Sequence, residues 1–219
     1  MTTDSAHHYW NDMWAKADGT SKWAKPEPEV IAHAQTLPKD ARVLDLGAGI
    51  GRHALAFAQM GFDVAALDAA PESFAAMRAG AETLGVRIDL HQGLMTTLPY
   101  PDASFDHVLS WNVIYHGDET IVTQSIAEIS RVLKPGGTFM GTMLSARRVP
   151  VEQAKAKGHE ISRNTWVFDG PGDKVHPHYF CTAPDLLALF AGFEIWSLAD
   201  RDHDSTGSWH WHLLAERLA

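Results

Sequence analysis

The stretch Val43-Leu44-Asp45-Leu46-Gly47-Ala48-Gly49-Ile50-Gly51-Arg52 constrains this chain more than any other. Val43 to Leu46 is an apolar run too short for a helix, and it ends in glycines, which reads as a buried parallel strand. Gly47, Gly49 and Gly51 follow at a spacing of two, and a turn of this composition bends sharply and admits a ligand against bare backbone. Arg52 to Met60 has the composition of a helix. Strand, glycine turn and helix make a nucleotide-binding βα unit, with the ligand set against the helix N-terminus.

Seventeen residues beyond Gly51, Asp68 closes a second apolar run that begins at Val64. A carboxylate at the tip of the second strand accepts both hydroxyls of a ribose. Two adenosine-bearing cofactors meet that description, a nicotinamide dinucleotide and S-adenosylmethionine (SAM).

Further elements follow in alternation. Helical patterns run from Pro71 to Leu84, with Gly85 as a stop, and from Glu119 to Leu133, stopped by Lys134-Pro135-Gly136-Gly137. Strands are expected at Val86–His91, Phe105–Trp111 and Thr138–Leu144. A short helix (Pro184–Ala191) and two strands (Phe193–Leu198 and Trp209–Glu216) close the chain. This order predicts an α/β sandwich with a mainly parallel sheet. Residues 146–182 lack a periodic run and read as an irregular insertion rather than a second domain. The expectation is a single domain over 1–219: a helical cap over 1–38, a core over 39–145, the insertion over 146–182 and C-terminal strands over 183–219.

The cap segment holds Tyr9, Trp10, Trp14 and Trp23, with Trp10 and Trp14 on one helix face. Such a helix either packs on the sheet edge or closes over the ligand site and excludes water from it. Composition narrows the rest. A net charge of −9 without a basic stripe argues against a nucleic-acid partner, whose phosphates would ask for clustered Lys and Arg. One cysteine, Cys181, excludes an intramolecular disulfide and a cysteine-based zinc cluster. No apolar run reaches the ~18 residues of a membrane span, and Met1–His8 is polar, without the core of a signal peptide. A cytoplasmic protein acting on a small molecule, away from membranes, is expected; the oligomeric state is left open.

Four features together resemble the class I SAM-dependent methyltransferases: the glycine segment Leu44–Gly51, the acid Asp68, Leu98-Pro99-Tyr100-Pro101-Asp102-Ala103-Ser104-Phe105-Asp106 before strand four, and Leu133-Lys134-Pro135-Gly136-Gly137 before strand five. The resemblance implies a three-layer sandwich with a seven-stranded sheet in the order 3-2-1-4-5-7-6, its last strand antiparallel. It also implies SAM as cofactor and S-adenosylhomocysteine as product. By position, Gly47, Ala48 and Gly49 would approach SAM by backbone, and Asp45 would organise that loop or reach the amino group. Asp68 would hold the ribose, with Ala69 beside the adenine. Trp111 and Asn112 would line the methionine end. Relatives often carry an Asp after strand three; this chain reads His91-Gln92-Gly93-Leu94-Met95, so backbone amides and an apolar wall of Leu94 and Met95, or else Gln92, would hold the adenine.

His116, with Tyr115 beside it, sits just past strand four, where acceptors approach SAM; it is either a general base or a cap for the next helix. His176-Pro177-His178-Tyr179 and Arg147 are candidate substrate contacts, with loop packing or solvation as their alternatives. A metal on the His-Pro-His run is not expected, because no carboxylate cluster lies beside it in the sequence. The aromatic cap and insertion are similar to small methyltransferases of the thiopurine and tellurite-resistance type, which favours a small thiol or sulfide as acceptor. An oxygen or nitrogen acceptor with His116 as base is the nearest alternative. A SAM-binding protein without transfer activity and a dehydrogenase are the others.

Overall fold

The computed structural model describes residues 3–17 and 21–219; Met1, Thr2 and residues 18–20 of the expected cap lie outside the described residues. Helix α1 (Ala6–Trp14) comes first, then a 3-10 turn (Lys22–Ala24) and α2 (Pro28–Ala34). The core alternates β1 (Arg42–Leu46), α3 (Arg52–Gln59), β2 (Asp63–Asp68), α4 (Ser73–Leu84), β3 (Asp89–Gln92), β4 (Phe105–Ser110), α5 (Glu119–Val132) and β5 (Leu133–Ser145). Next come α6 (Val149–Gln153), β6 (Gly158–Ser162), β7 (Thr165–Phe168), β8 (His178–Cys181), α7 (Ala183–Leu189), β9 (Phe193–Asp202) and β10 (Trp209–Arg217).

Strands β3-β2-β1-β4-β5 are parallel neighbours, and β10 then runs antiparallel between β5 and β9. This is the expected order, with β9 and β10 as its sixth and seventh strands. Side-chain alternation builds the two faces. From β1, Val43 packs with Val30 and Ala34 of α2, Phe57 of α3 and Met77 of α4. Its neighbour Leu44 belongs to the core of the other face, with Ile126 and Ile129 of α5 and Leu186 of α7. The result is helices on both faces of a buried sheet, as continuous apolar strands require.

The insertion differs from expectation. Residues 146–182 are not irregular: β6, β7 and β8 form an antiparallel meander, and β8 joins the main sheet by parallel pairing with Leu144 and Ser145 at the end of β5. β6 is exposed along most of its length, so it carries no apolar alternation to read. Tertiary pairing, not propensity, makes it a strand. Leu144 pairs with Phe180 of β8 and with His210 of β10, so β8 lies opposite β10, on the side where β4 has already ended. The meander therefore folds over the carboxyl ends of the strands. β5 also starts earlier than expected, at Leu133, and absorbs the Lys-Pro-Gly-Gly segment through a register shift against β4.

Candidate active site

At the carboxyl end of β1 the chain enters a turn with Gly47, Gly49 and Gly51 all at positive φ. At Gly49 the need is steric as well as conformational: a Cβ there would lie 2.8 Å from the ring of Trp14. Asp45 is fully buried, and its carboxylate accepts a hydrogen bond from the Ala54 amide at 2.9 Å, satisfying one of the free N–H groups in the first turn of α3. Burial pushes its carboxyl up to about 7. Asp68 ends β2 with its two oxygens on separate amides, Gly49 at 2.7 Å and Ala70 at 2.8 Å. Burial raises its carboxyl too, and the amide bonds oppose that. One carboxylate thus ties the glycine turn to the second strand.

A single cavity of about 100 Å³ opens on this turn. Its wall includes Gly47, Ala48, Gly49, Asp68, Ala69, Leu94, Met95, Trp111 and Asn112, the expected cofactor contacts. Asp45 stands behind them and acts through the turn. Asn112 holds a left-handed φ of 64°, a conformation Asn tolerates better than most residues. Its amide and side chain are both bonded to Thr142 of β5, and its Nδ2 donates to His203 at 3.0 Å.

The cap forms the outer wall. Trp10 and Trp14 stack at 5.1 Å between ring centroids, and Trp23 meets both edge-on. All three line the cavity, with Asp4 and His7 of the same segment. The cap is pinned at several points, among them Asn11, which accepts from the Glu72 amide at 3.1 Å, and Ser5, whose Oγ lies 3.0 Å from His176 Nδ1. Asp4, His7, Arg52 and His53 also belong to the wall and were not among the sequence candidates. Arg52 and His53 directly follow the glycine turn, a position that marks them in retrospect; Asp4 and His7 carry no local signal. His53 accepts from the Glu27 amide at 3.1 Å and is held neutral, its pKa lowered to about 3 by burial.

Past β4, His116 reaches the cavity wall but Tyr115 does not. Tyr115 is buried in the core, against His178 and His210, and burial drives its hydroxyl far above the ordinary value. The reason is backbone pairing: the Tyr179 amide donates to the Tyr115 carbonyl at 2.8 Å and the Gly117 amide to the Pro177 carbonyl at 2.9 Å. This pairing turns alternate side chains in opposite directions and brings His116 and His178 together, ring centroids 4.7 Å apart. Asp173 joins them, its Oδ2 3.7 Å from His116 Nε2 and 3.3 Å from His178 Nε2. Burial lowers the His116 pKa below its ordinary value, against the pull of Asp173. One carboxylate, Asp173, five residues before His178, thus joins the two histidines from the turn before β8.

The remaining substrate candidates lie away from the cavity. Tyr179 is fully buried in the core. Arg147 stacks over Trp209 at 3.4 Å and pairs with Asp200 at 3.5 Å. His176 braces the cap through Ser5, and His178 is fully buried behind His116.

Comparison with known proteins places this geometry. Residues 43–137 match the model of a methyltransferase domain. The chain is similar to the ubiquinone biosynthesis O-methyltransferase of Paramagnetospirillum magneticum, 37% identical over 103 residues, or 47% of this chain and 40% of that protein. It spans about 40% of the length of the curated relatives matched first. Among solved structures, a SAM-dependent methyltransferase from Methanosarcina mazei superposes with a TM-score of 0.74 at 20% identity, over 89% of this chain and 99% of that one. The Burkholderia thailandensis 1,6-didemethyltoxoflavin N1-methyltransferase, crystallised with its substrate and S-adenosylhomocysteine, superposes with a TM-score of 0.67 at 21% identity, over 98% and 84% of the two chains. Glycine turn, the acid Asp68 and sheet order agree with these matches: the chain has the fold of the class I SAM-dependent methyltransferases, and its residues 43–137 match a methyltransferase domain.

Proposed function

We propose that this chain transfers the methyl group of SAM to a small-molecule acceptor held between the glycine turn and the tryptophan cap. The observation that carries the reading is the shared wall: one cavity is lined by Gly47–Gly49 and Asp68 on one side and by Trp10, Trp14, Trp23 and His116 on the other. Asp68 takes the ribose hydroxyls, Ala69, Leu94 and Met95 flank the adenine, and Trp111 and Asn112 flank the methionine end. The methyl group is already activated on its sulfonium, so the protein's task is to align the nucleophile and exclude water.

Residues 1–38 act as a lid. Trp14 rests against Gly49, where the cofactor would pass. The cap therefore opens to admit SAM and closes again over the pair of substrates.

A small thiol or sulfide is the favoured acceptor. Indole faces and Met95 make a soft wall, and a thiol, a weak hydrogen-bond donor, is cheap to desolvate there. A hydroxyl or amine needs a partner for its proton. The second reading, an oxygen or nitrogen acceptor, has His116 in its favour, the imidazole past β4 that reaches the wall.

The test is transfer of labelled methyl from SAM to sulfide, methanethiol, an aromatic thiol, a phenol, a primary amine and a carboxylic acid, with volatile products trapped. Label in a thioether supports the sulfur reading. Label only on phenol or amine replaces it with the second. SAM binding without transfer to any of them counts for a SAM-binding protein and against the enzyme.

A further inference from the structure

The cluster behind the cavity wall gathers two imidazoles and one carboxylate and leaves one buried imidazole nitrogen without a partner. His178 Nδ1 lies 2.8 Å from the His176 carbonyl oxygen, which has no proton to give, so Nδ1–H is the donor. In the neutral ring Nε2 then carries the lone pair, and it faces Asp173 Oδ2 at 3.3 Å. His116 Nε2 looks at the same oxygen from 3.7 Å, buried and without a hydrogen-bond partner. Three electron-rich atoms converge, all within 4.8 Å of one another. Lys174 sits 3.5 Å from the other oxygen of Asp173, Oδ1, and leaves Oδ2 to the histidines.

We infer that His116, Asp173 and His178 bind one divalent cation of the zinc class, with an exchangeable coordination position turned to the cavity that His116 lines. The distances suit such an ion. Bonds of about 2.0–2.1 Å in a tetrahedral site place neighbouring ligand atoms about 3.3 Å apart, the spacing of His178 from Asp173, and the cluster closes on the metal as His116 moves in from 3.7 Å. Two imidazoles and a carboxylate are also the donor set of open zinc and iron sites. The His178 ring is already braced as a ligand, its second nitrogen donating to a backbone carbonyl.

The acceptor half of the inference rests on the sulfur reading above. A thiol taking the exchangeable position loses its proton to solvent and stays as metal-bound thiolate. Its sulfur forms the new S–CH₃ bond as the C–S⁺ bond of SAM breaks, that electron pair remaining on the departing S-adenosylhomocysteine sulfur.

The experiment uses the full, untagged chain, stripped with chelator and titrated with Co²⁺ as a spectroscopic probe. One equivalent should bind with visible d–d bands and be displaced by Zn²⁺. Asp173→Asn should weaken binding at least about tenfold, the scale seen when metal surroundings are disturbed, while SAM affinity measured by calorimetry stays within about twofold of the parent chain. His178→Gln serves as the second variant should Asp173→Asn fail to fold. Co²⁺ binding no tighter in the parent chain than in these variants overturns the site. An aromatic thiol added to the Co²⁺ protein should produce a sulfur-to-cobalt charge-transfer band; bound Co²⁺ whose spectrum ignores the thiol overturns the acceptor half. Failure of methyl transfer in the labelled panel leaves the cobalt titration untouched, so the two readings fail separately.

Discussion

At the scale of single residues, two aspartates do different work. Asp68 is a structural tie and the proposed ribose acceptor at once. Removing its charge in Asp68→Asn weakens charge-assisted hydrogen bonds worth about 1.5–3 kcal/mol. SAM affinity should therefore fall roughly 10- to 100-fold in calorimetry at neutral pH, with circular dichroism confirming that the variant is folded. Asp45 works through stability. Its carboxyl ionises near 3.9 in an unfolded chain but near 7 here, because burial favours the neutral form. The folded state therefore holds this proton more tightly than the unfolded state does. The resulting stabilisation is complete below about pH 4 and is lost as pH rises to about 7, a change of a few kcal/mol. Asp45→Asn keeps an acceptor for the Ala54 amide and has no charge to expose. Urea denaturation from pH 4 to 7 should show its stability declining less than that of the parent chain. An equal decline would mean that Asp45 ionises normally.

At the scale of elements, the cap and the meander matter most. α1 presents Trp10 and Trp14 to the cavity and is fastened by Asn11 and Ser5. Trp14→Ala should remove the ring lying over Gly49, so SAM should associate at least as fast while turnover falls about tenfold through poorer exclusion of water. Stopped-flow binding and single-turnover rates separate the two; a matching loss of SAM affinity would instead make Trp14 a cofactor contact. The meander shows why sequence reading of elements stops where it does. β1, β2 and β4 announce themselves as short runs buried almost throughout, and α5 by its periodic apolar face. β6 buries almost nothing, and β8 is four buried residues with no alternation, His178–Cys181. β8 exists because β5 outruns β4 and leaves an edge to be paired, and β6 because β7 pairs with it.

At the scale of the whole molecule, ligand and fold are coupled through one cavity that joins the turn after β1, the ends of β2 and β4, and the cap. SAM at a hundred times its Kd should stabilise the protein by about 2.7 kcal/mol, which for a chain of this size raises Tm by roughly 5–10 °C. Differential scanning fluorimetry reads this directly, and adenosine diphosphate ribose at the same concentration should give no comparable shift. The sequence by itself determined the α/β class, the glycine turn and its acid, because these rest on local periodicity and on motifs contiguous in the chain; the sheet order came through the family resemblance that those motifs carry. Only the tertiary structure decided which aromatic and titratable residues share a cavity. It put His116 at the wall and Tyr115 in the core, and joined His116 to Asp173 and His178. Those outcomes depend on the pairing of the 115–117 loop with the lead into β8, some sixty residues away, and no local pattern records a contact made across that distance.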